Sequence, residues 1–269
     1  MKENNKPFFG KEESLMLAGI AILLMIWHHL FNFQSWYSEG VGWIASLGYA
    51  GRVLTLVPAA FGNICVQMFA LMSGYALFVN PKAYGSWRSR GVRLLRFLGA
   101  YWLICAFFLL VALLNDDKLP SFGNLVFNLL GRETGPGKPW VNVPFAWYVT
   151  FYIEFVLLIP FLLWLFSVKG IWKDGVALVV LIAFVFLVMR CPASGFINKF
   201  KEPITPLICV GVGIVAAKHD VFTWFHRQMG RRIPTAVYLL TIAGLMLFKY
   251  KLWSLNPMGG VDGMLSVQS

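Results

Sequence analysis

Apolar residues run in long blocks along this chain, separated by short polar and basic segments, with no sustained period-2 alternation and no heptad repeat. The first block, Leu15 to Phe33, carries His28 and His29 as its ionisable residues. A bilayer core of about 30 Å needs about 20 apolar residues per helix, so this block predicts a membrane-spanning helix. It is too long for the apolar region of a cleavable signal peptide, and no small-residue cleavage pattern follows it. Further spans are predicted at Cys65 to Val79, with an extension back into Leu54 to Phe61, at Val92 to Leu114 and at Phe145 to Val168. Val176 to Met189, Ile204 to Ala217 and Ala236 to Phe248 are shorter and read as tilted or thin spans. The expected architecture is an all-α, polytopic transmembrane bundle of seven to eight spans in a single domain over residues 1–269. Ser46 to Ala60, with Arg52 and Pro58, reads either as a further span or as an interfacial or re-entrant helix.

Composition agrees with a bilayer as solvent. Of 269 residues, 58% are hydrophobic and 13% charged, against roughly half and a quarter in soluble domains. Mean hydropathy is +0.68. The formal net charge of +11 would suggest nucleic acid in a soluble protein, but in an apolar chain basic residues mark cytoplasmic loops. No nucleic-acid partner is therefore expected. A cytoplasmic N-terminus puts fourteen of the 23 Lys and Arg inside. The strongest contribution is Lys82 to Arg96, where Lys82, Arg88, Arg90, Arg93 and Arg96 face no acidic residue. The expected location is the cytoplasmic membrane, multi-pass, with lipid as the surrounding partner. The outer loop Asn115 to Pro144 is rich in Gly, Pro and Asn, and its Leu125 to Leu130 stretch predicts a short amphipathic helix, lying on the membrane or acting as a lid. Cys65, Cys105, Cys191 and Cys209 stand singly in apolar surroundings, without disulfide or metal-ligand spacing, so no metal is expected.

Ionisable groups inside apolar spans are costly, and each is a candidate for function. His28 and His29 lie about two-thirds of the way along the first span. A neutral imidazole there can take a proton from an alcohol, as acyl transfer to a hydroxyl requires, or can simply hydrogen-bond between helices. The two rings point about 100° apart on a helix, so at most one faces a given cavity, and spacing does not say which. Glu154, the carboxylate inside a predicted span, can orient a histidine, bind a sugar hydroxyl or pair with a cation. Arg90, Arg93 and Arg96 lead into the third span. Arg93 and Arg96, three residues apart, share a face and can grip phosphates or serve as a positive-inside anchor. His219 and His226 read as solvated loop residues. No GxxxxGK, HExxH or GxSxG motif is present.

Taken in order, these residues resemble the acyltransferase family 3 membrane proteins, which modify cell-surface carbohydrates. Leu17 through His29 (LAGIAILLMIWHH) resembles the family's first helix. Val66 through Tyr75 is similar to its Phe-rich helix ending in Ser-Gly-Tyr, here Ser73, Gly74 and Tyr75. Arg93-Leu94-Leu95-Arg96 resembles its Arg-x-x-Arg entry, and Trp147 to Glu154 and Pro160 resembles its Trp-containing helix that ends in Pro. The family pattern of arginine, ten residues, then histidine identifies His29 as the matching histidine, with Ala18 where the arginine stands. The resemblance implies an acyl-CoA donor, usually acetyl-CoA, used as a substrate with no resident cofactor, and a carbohydrate or lipid-linked glycan acceptor. It implies that His29 is the base, with His28 in reserve, that Arg93, Arg96 and Arg90 hold the donor, and that Glu154 orients the acceptor or a partner. Family members carry more spans, so a chain shortened at its C-terminus is expected.

Two other readings compete. One is a transporter or flippase of a polar lipid or small solute, with His28, His29 and Glu154 lining a pathway and Gly211-Val212-Gly213 as a helix break. The other is an inactive, truncated relative.

Overall fold

The structure, a computed structural model, describes residues 9–31, 55, 57–114, 121–131, 146–168, 170–190, 204–229 and 235–254. All elements there are helices: α1 Lys11–Phe31, α2 Cys65–Val79, α3 Lys82–Gly85, α4 Trp87–Leu114, α5 Phe122–Leu129, α6 Ala146–Leu165, α7 Ile171–Arg190, α8 Leu207–Lys218, α9 Val221–Met229 and α10 Thr235–Ser254. A helical run at 57–62 precedes α2. Residues 46–54, 115–120, 132–145 and 261–269, on which part of the expected re-entrant stretch, the outer loop and the C-terminal segment fall, lie outside the described residues.

Five helices are long and apolar enough to cross a membrane, and six if α8 and the following helix count as one broken span. The described residues thus support five to six spans where the apolar blocks suggest seven to eight. Two helix starts differ from the expected ones. Helix α4 begins five residues before Val92, because Ser86, extended at φ −96° and ψ 148°, accepts the Ser89 amide on its Oγ at 3.1 Å and caps the helix. Helix α7 begins at Ile171 rather than Val176 and is a full-length 20 residues. Helix α6 runs through Pro160, as the expected span Phe145 to Val168 does, and ends at Leu165; neighbouring helices compensate a proline inside a transmembrane helix.

The described residues divide into two units, one within Met1–Phe69 and Asp220–Ser269, the other within Ala70–His219. In the second, Phe151, Phe155, Ile159 and Leu162 of α6 interlock with Ala177, Leu181 and Val185 of α7 and with Leu207, Val210 and Ile214 of α8. Each set repeats at three or four residues, so each helix turns one stripe inward. Leu98, Tyr101 and Cys105 of α4 form a second cluster with Val149. The outer faces stay apolar: Leu103 is 74% exposed and Leu187 71%, surface that only lipid covers without cost. Trp87, Trp164 and Trp172 are exposed near span ends, where interfacial indoles collect.

Small residues govern the closest approach. A Cβ on Gly74 of α2 would run into the Val210 carbonyl of α8, and one on Gly213 of α8 into the Leu71 carbonyl and the Tyr75 amide of α2. The two helices meet backbone to backbone, a contact that membrane helices use where apolar burial gives no drive. Gly211 and Gly213 therefore sit in an unbroken helix, not at the expected break. That helix stops at Asp220, whose φ of +50° lies in the left-handed region that Asp tolerates better than most residues.

The predicted short helix is present as α5, beginning at Phe122. Its C-terminal carbonyls, which have no partner within the helix, accept from three side chains of the spans. Tyr101 Oη donates to Asn128 O at 2.8 Å, Trp102 Nε1 to Leu129 O at 2.9 Å, and Thr150 Oγ1 to Leu130 O at 3.0 Å.

Candidate functional site

Helix α1 presents the two histidines near its C-terminal end. His28 Nδ1 lies 2.7 Å from the Ala59 carbonyl. A carbonyl oxygen only accepts, so Nδ1 carries the proton of that bond. Trp27 Nε1 donates to the Thr55 carbonyl at 3.2 Å. The His28 and His29 rings stand edge to face with centroids 5.4 Å apart, and His29 Nδ1 is buried.

In the other unit, α4 carries the arginines. A cavity of about 670 Å³ is lined by Ser86, Arg88, Ser89, Arg93, Arg96 and Tyr152, with Ala83 and Val92 completing the wall; small-molecule sites occupy about 300–1,000 Å³. Arg93 is held in place: its guanidinium lies over the Tyr84 ring at 4.2 Å and donates to Tyr84 Oη at 3.3 Å. Tyr152 is fixed in turn by Phe97, 4.2 Å away between centroids. Arg96 is exposed at the cavity. Three guanidiniums, three hydroxyls and the capped N-terminus of α4 line this wall, groups whose chemistry suits an anion.

Arg90 is not part of that wall. It is 5% exposed, stacks its guanidinium 4.0 Å over the Trp87 ring and donates Nε to Ser86 O at 3.4 Å. Helical phase explains the difference: Arg90 falls about 60° from Arg93 and about 120° from Arg96, on the side of Leu94 and Tyr101. Arg88, which the Arg-x-x-Arg spacing does not single out, lines the cavity instead.

Both carboxylate oxygens of Glu154 are buried within α6. Gly74 and Tyr75 are buried and serve the α2–α8 contact; Ser73 is half-buried beside them. Trp147 stands in the first turn of α6.

A charged cluster lies where the apolar pattern shows none. Asp174, in the first turn of α7, is 1% exposed. Lys218 Nζ donates to its Oδ1 at 2.6 Å, and His219 Nε2 meets its Oδ2 at 2.7 Å. Lys218 also donates to Phe166 O at 3.1 Å. His219 is therefore not a solvated loop residue, and Glu154 is not the lone carboxylate within the spans. The cluster ties the end of α6 to the start of α7 and the end of α8. Among the described residues no group of His, Cys, Asp and Glu has metal-binding geometry.

A family model described as an acyltransferase domain matches residues 17–267. Searches of curated proteins and of solved structures find no match.

Proposed function

The chain belongs to the acyltransferase 3 family of membrane proteins, and from that premise we propose that it moves an acetyl group from acetyl-CoA to a hydroxyl of a cell-surface carbohydrate or lipid-linked glycan. The observation that carries the donor half of this reading is the arginine-lined cavity of α4. Arg93, oriented by Tyr84, and Arg96 bind the phosphates of CoA by paired, charge-assisted hydrogen bonds, and Arg88 adds a third positive charge. Arg90, stacked on Trp87 and buried, supports the helix rather than the donor.

On the acceptor side, His29 is the general base. It takes the proton of the acceptor hydroxyl as the oxygen attacks the thioester carbonyl. The carbon–sulfur bond then breaks, and the imidazolium returns its proton to the departing thiolate, so neither charge nor proton is left over. Glu154 orients the acceptor or a partner side chain. With the N-terminus cytoplasmic, the basic start of α4 faces the cytoplasm, where acyl-CoA is found, and His29 stands toward the outer face. The positive-inside bias of Lys82 to Arg96 supports that orientation.

The test is transfer of labelled acetyl from acetyl-CoA into surface glycan by membranes holding the wild-type chain, His29→Ala or no chain. Label that requires the protein and is lost in His29→Ala supports the reading. Correctly inserted wild-type protein that transfers no label contradicts it.

A further inference from the structure

Two adjacent histidines on one helix invite the question of whether both act in chemistry. We propose that His28 is a positioning residue: its Nδ1–H, bonded to the Ala59 carbonyl, clamps α1 against Thr55 and the helical run at 57–62 and so sets the direction of His29. The proposal rests on the acyltransferase reading for what His29 does, but its geometry stands apart from that reading.

Three contacts make the clamp, all between α1 and one short segment. The first is the 2.7 Å bond from His28 Nδ1 to Ala59 O. The second, one residue earlier, is the 3.2 Å bond from Trp27 Nε1 to Thr55 O. The third is steric: a Cβ on Gly62 would stand 2.9 Å from His28 Cβ and collide with the Leu24 carbonyl. Thr55, Ala59 and Gly62 are spaced four and three apart, so they share a helical face and meet the same side of α1.

The acceptor is available for a structural reason. The 57–62 run ends in a turn at Asn63 and Ile64, closed by Ile64 N to Phe61 O at 2.9 Å. Ala59 is among the last four carbonyls of that run, which lack partners of their own within it. His28 supplies one from another helix.

The consequence for His29 follows from helical phase. With Cβ of His28 held against Gly62 and its ring held by Ala59, α1 has one rotation about its axis. His29 is then turned about 100° away from the clamp, its ring edge to face with the fixed His28 ring. A rotation of α1 of a few tens of degrees would carry the His29 ring off line by more than an ångström, a displacement that can cost about 10²-fold in rate.

Asparagine separates positioning from base chemistry, because its side-chain N–H sits close to where Nδ1–H does and can bond Ala59 O, while it has no basic nitrogen. In the labelled-acetyl assay, His28→Asn is expected to keep turnover within about tenfold of wild type. His28→Ala is expected to lose about 10²-fold in kcat with KM for acetyl-CoA unchanged. If His28→Asn falls as far as His28→Ala, His28 acts through its lone pair and the proposal is overturned. A second readout needs no activity: in the histidine side-chain ¹⁵N spectrum of the purified protein, the signal absent from His28→Asn is expected to be the Nδ1–H tautomer. An Nε2–H tautomer overturns the clamp. Loss of transfer in every sample, wild type included, with the Nδ1–H tautomer present would reject the acyltransferase reading and leave the clamp standing.

Discussion

Gly74 and Val210 meet with no side chain between them: a single added methyl on Gly74 would strike the Val210 carbonyl. Gly213 repeats the arrangement one turn along, facing Leu71 and Tyr75. The Ser-Gly-Tyr stretch within α2 is thus explained by packing, since only glycine allows α8 so close. Gly74→Ala must push the helices apart, and overpacking of this kind costs about 1–3 kcal/mol. Thermal unfolding of the purified protein in detergent should show the loss, with Gly213→Ala behaving alike. An unchanged transition would mean that the helices are not in backbone contact.

Asp174, Lys218 and His219 act as one ionic clasp. The side chains of Asp174 and Lys218 are 2% and 7% exposed, so removing either strands the other in a low-dielectric place. Asp174→Ala is expected to cost about 3–5 kcal/mol, whereas the double replacement Asp174→Leu with Lys218→Met should recover much of that stability. Denaturant unfolding of the two variants checks this, and equal losses in the single and the double variant would argue against a buried pair.

The arginines of α4 should divide by function. Arg93→Ala and Arg96→Ala each remove charge-assisted hydrogen bonds worth about 1.5–3 kcal/mol, which corresponds to roughly 10- to 100-fold in KM for acetyl-CoA, with kcat little changed. Arg90→Ala takes away a buried guanidinium that stacks on the exposed Trp87 ring, so it should lower thermal stability and leave KM alone. Steady-state kinetics on the three proteins decide the assignment; a KM effect from Arg90→Ala equal to that of Arg93→Ala would contradict it.

Helix α5 is anchored through its carbonyls. Tyr101→Phe and Thr150→Val each delete a bond to that end, a loss of about 0.5–1.5 kcal/mol. Amide hydrogen exchange in residues 122–129 should quicken in both variants while the core of α6 keeps its protection. Unaltered exchange in α5 would show that other contacts hold it.

What could be read in the sequence depended on how local the cause was. Cys65 to Val79 was legible to the residue because an apolar block is bounded there by Asn63 and Asn80. The start of α7 was not, because Trp172, Lys173 and Asp174 look like a polar loop until Lys218, 44 positions away, is seen to neutralise Asp174. His219 was misread for the same reason. The arginine cluster was visible as charge, but its division into cavity-facing Arg88, Arg93 and Arg96 and buried Arg90 depends on the phase and packing of a helix whose first turn is set by the Ser86 cap. The histidine pair stood out as ionisable groups in a span. The partner of His28 did not, since a backbone carbonyl has no signature in composition or spacing.

In the proposed reaction, acyl-CoA is used on the membrane face bearing Arg93 and Arg96 and the acyl group is delivered toward the face nearer His29. Sealed vesicles of known orientation, given labelled acetyl-CoA only on the outside, test it directly because CoA does not cross a bilayer. Inside-out vesicles should label glycan and lose that ability with Arg93→Ala at low donor concentration, while right-side-out vesicles should remain unlabelled. Labelling in right-side-out vesicles alone would reverse the orientation, and labelling in neither would contradict the acyl-CoA mechanism itself.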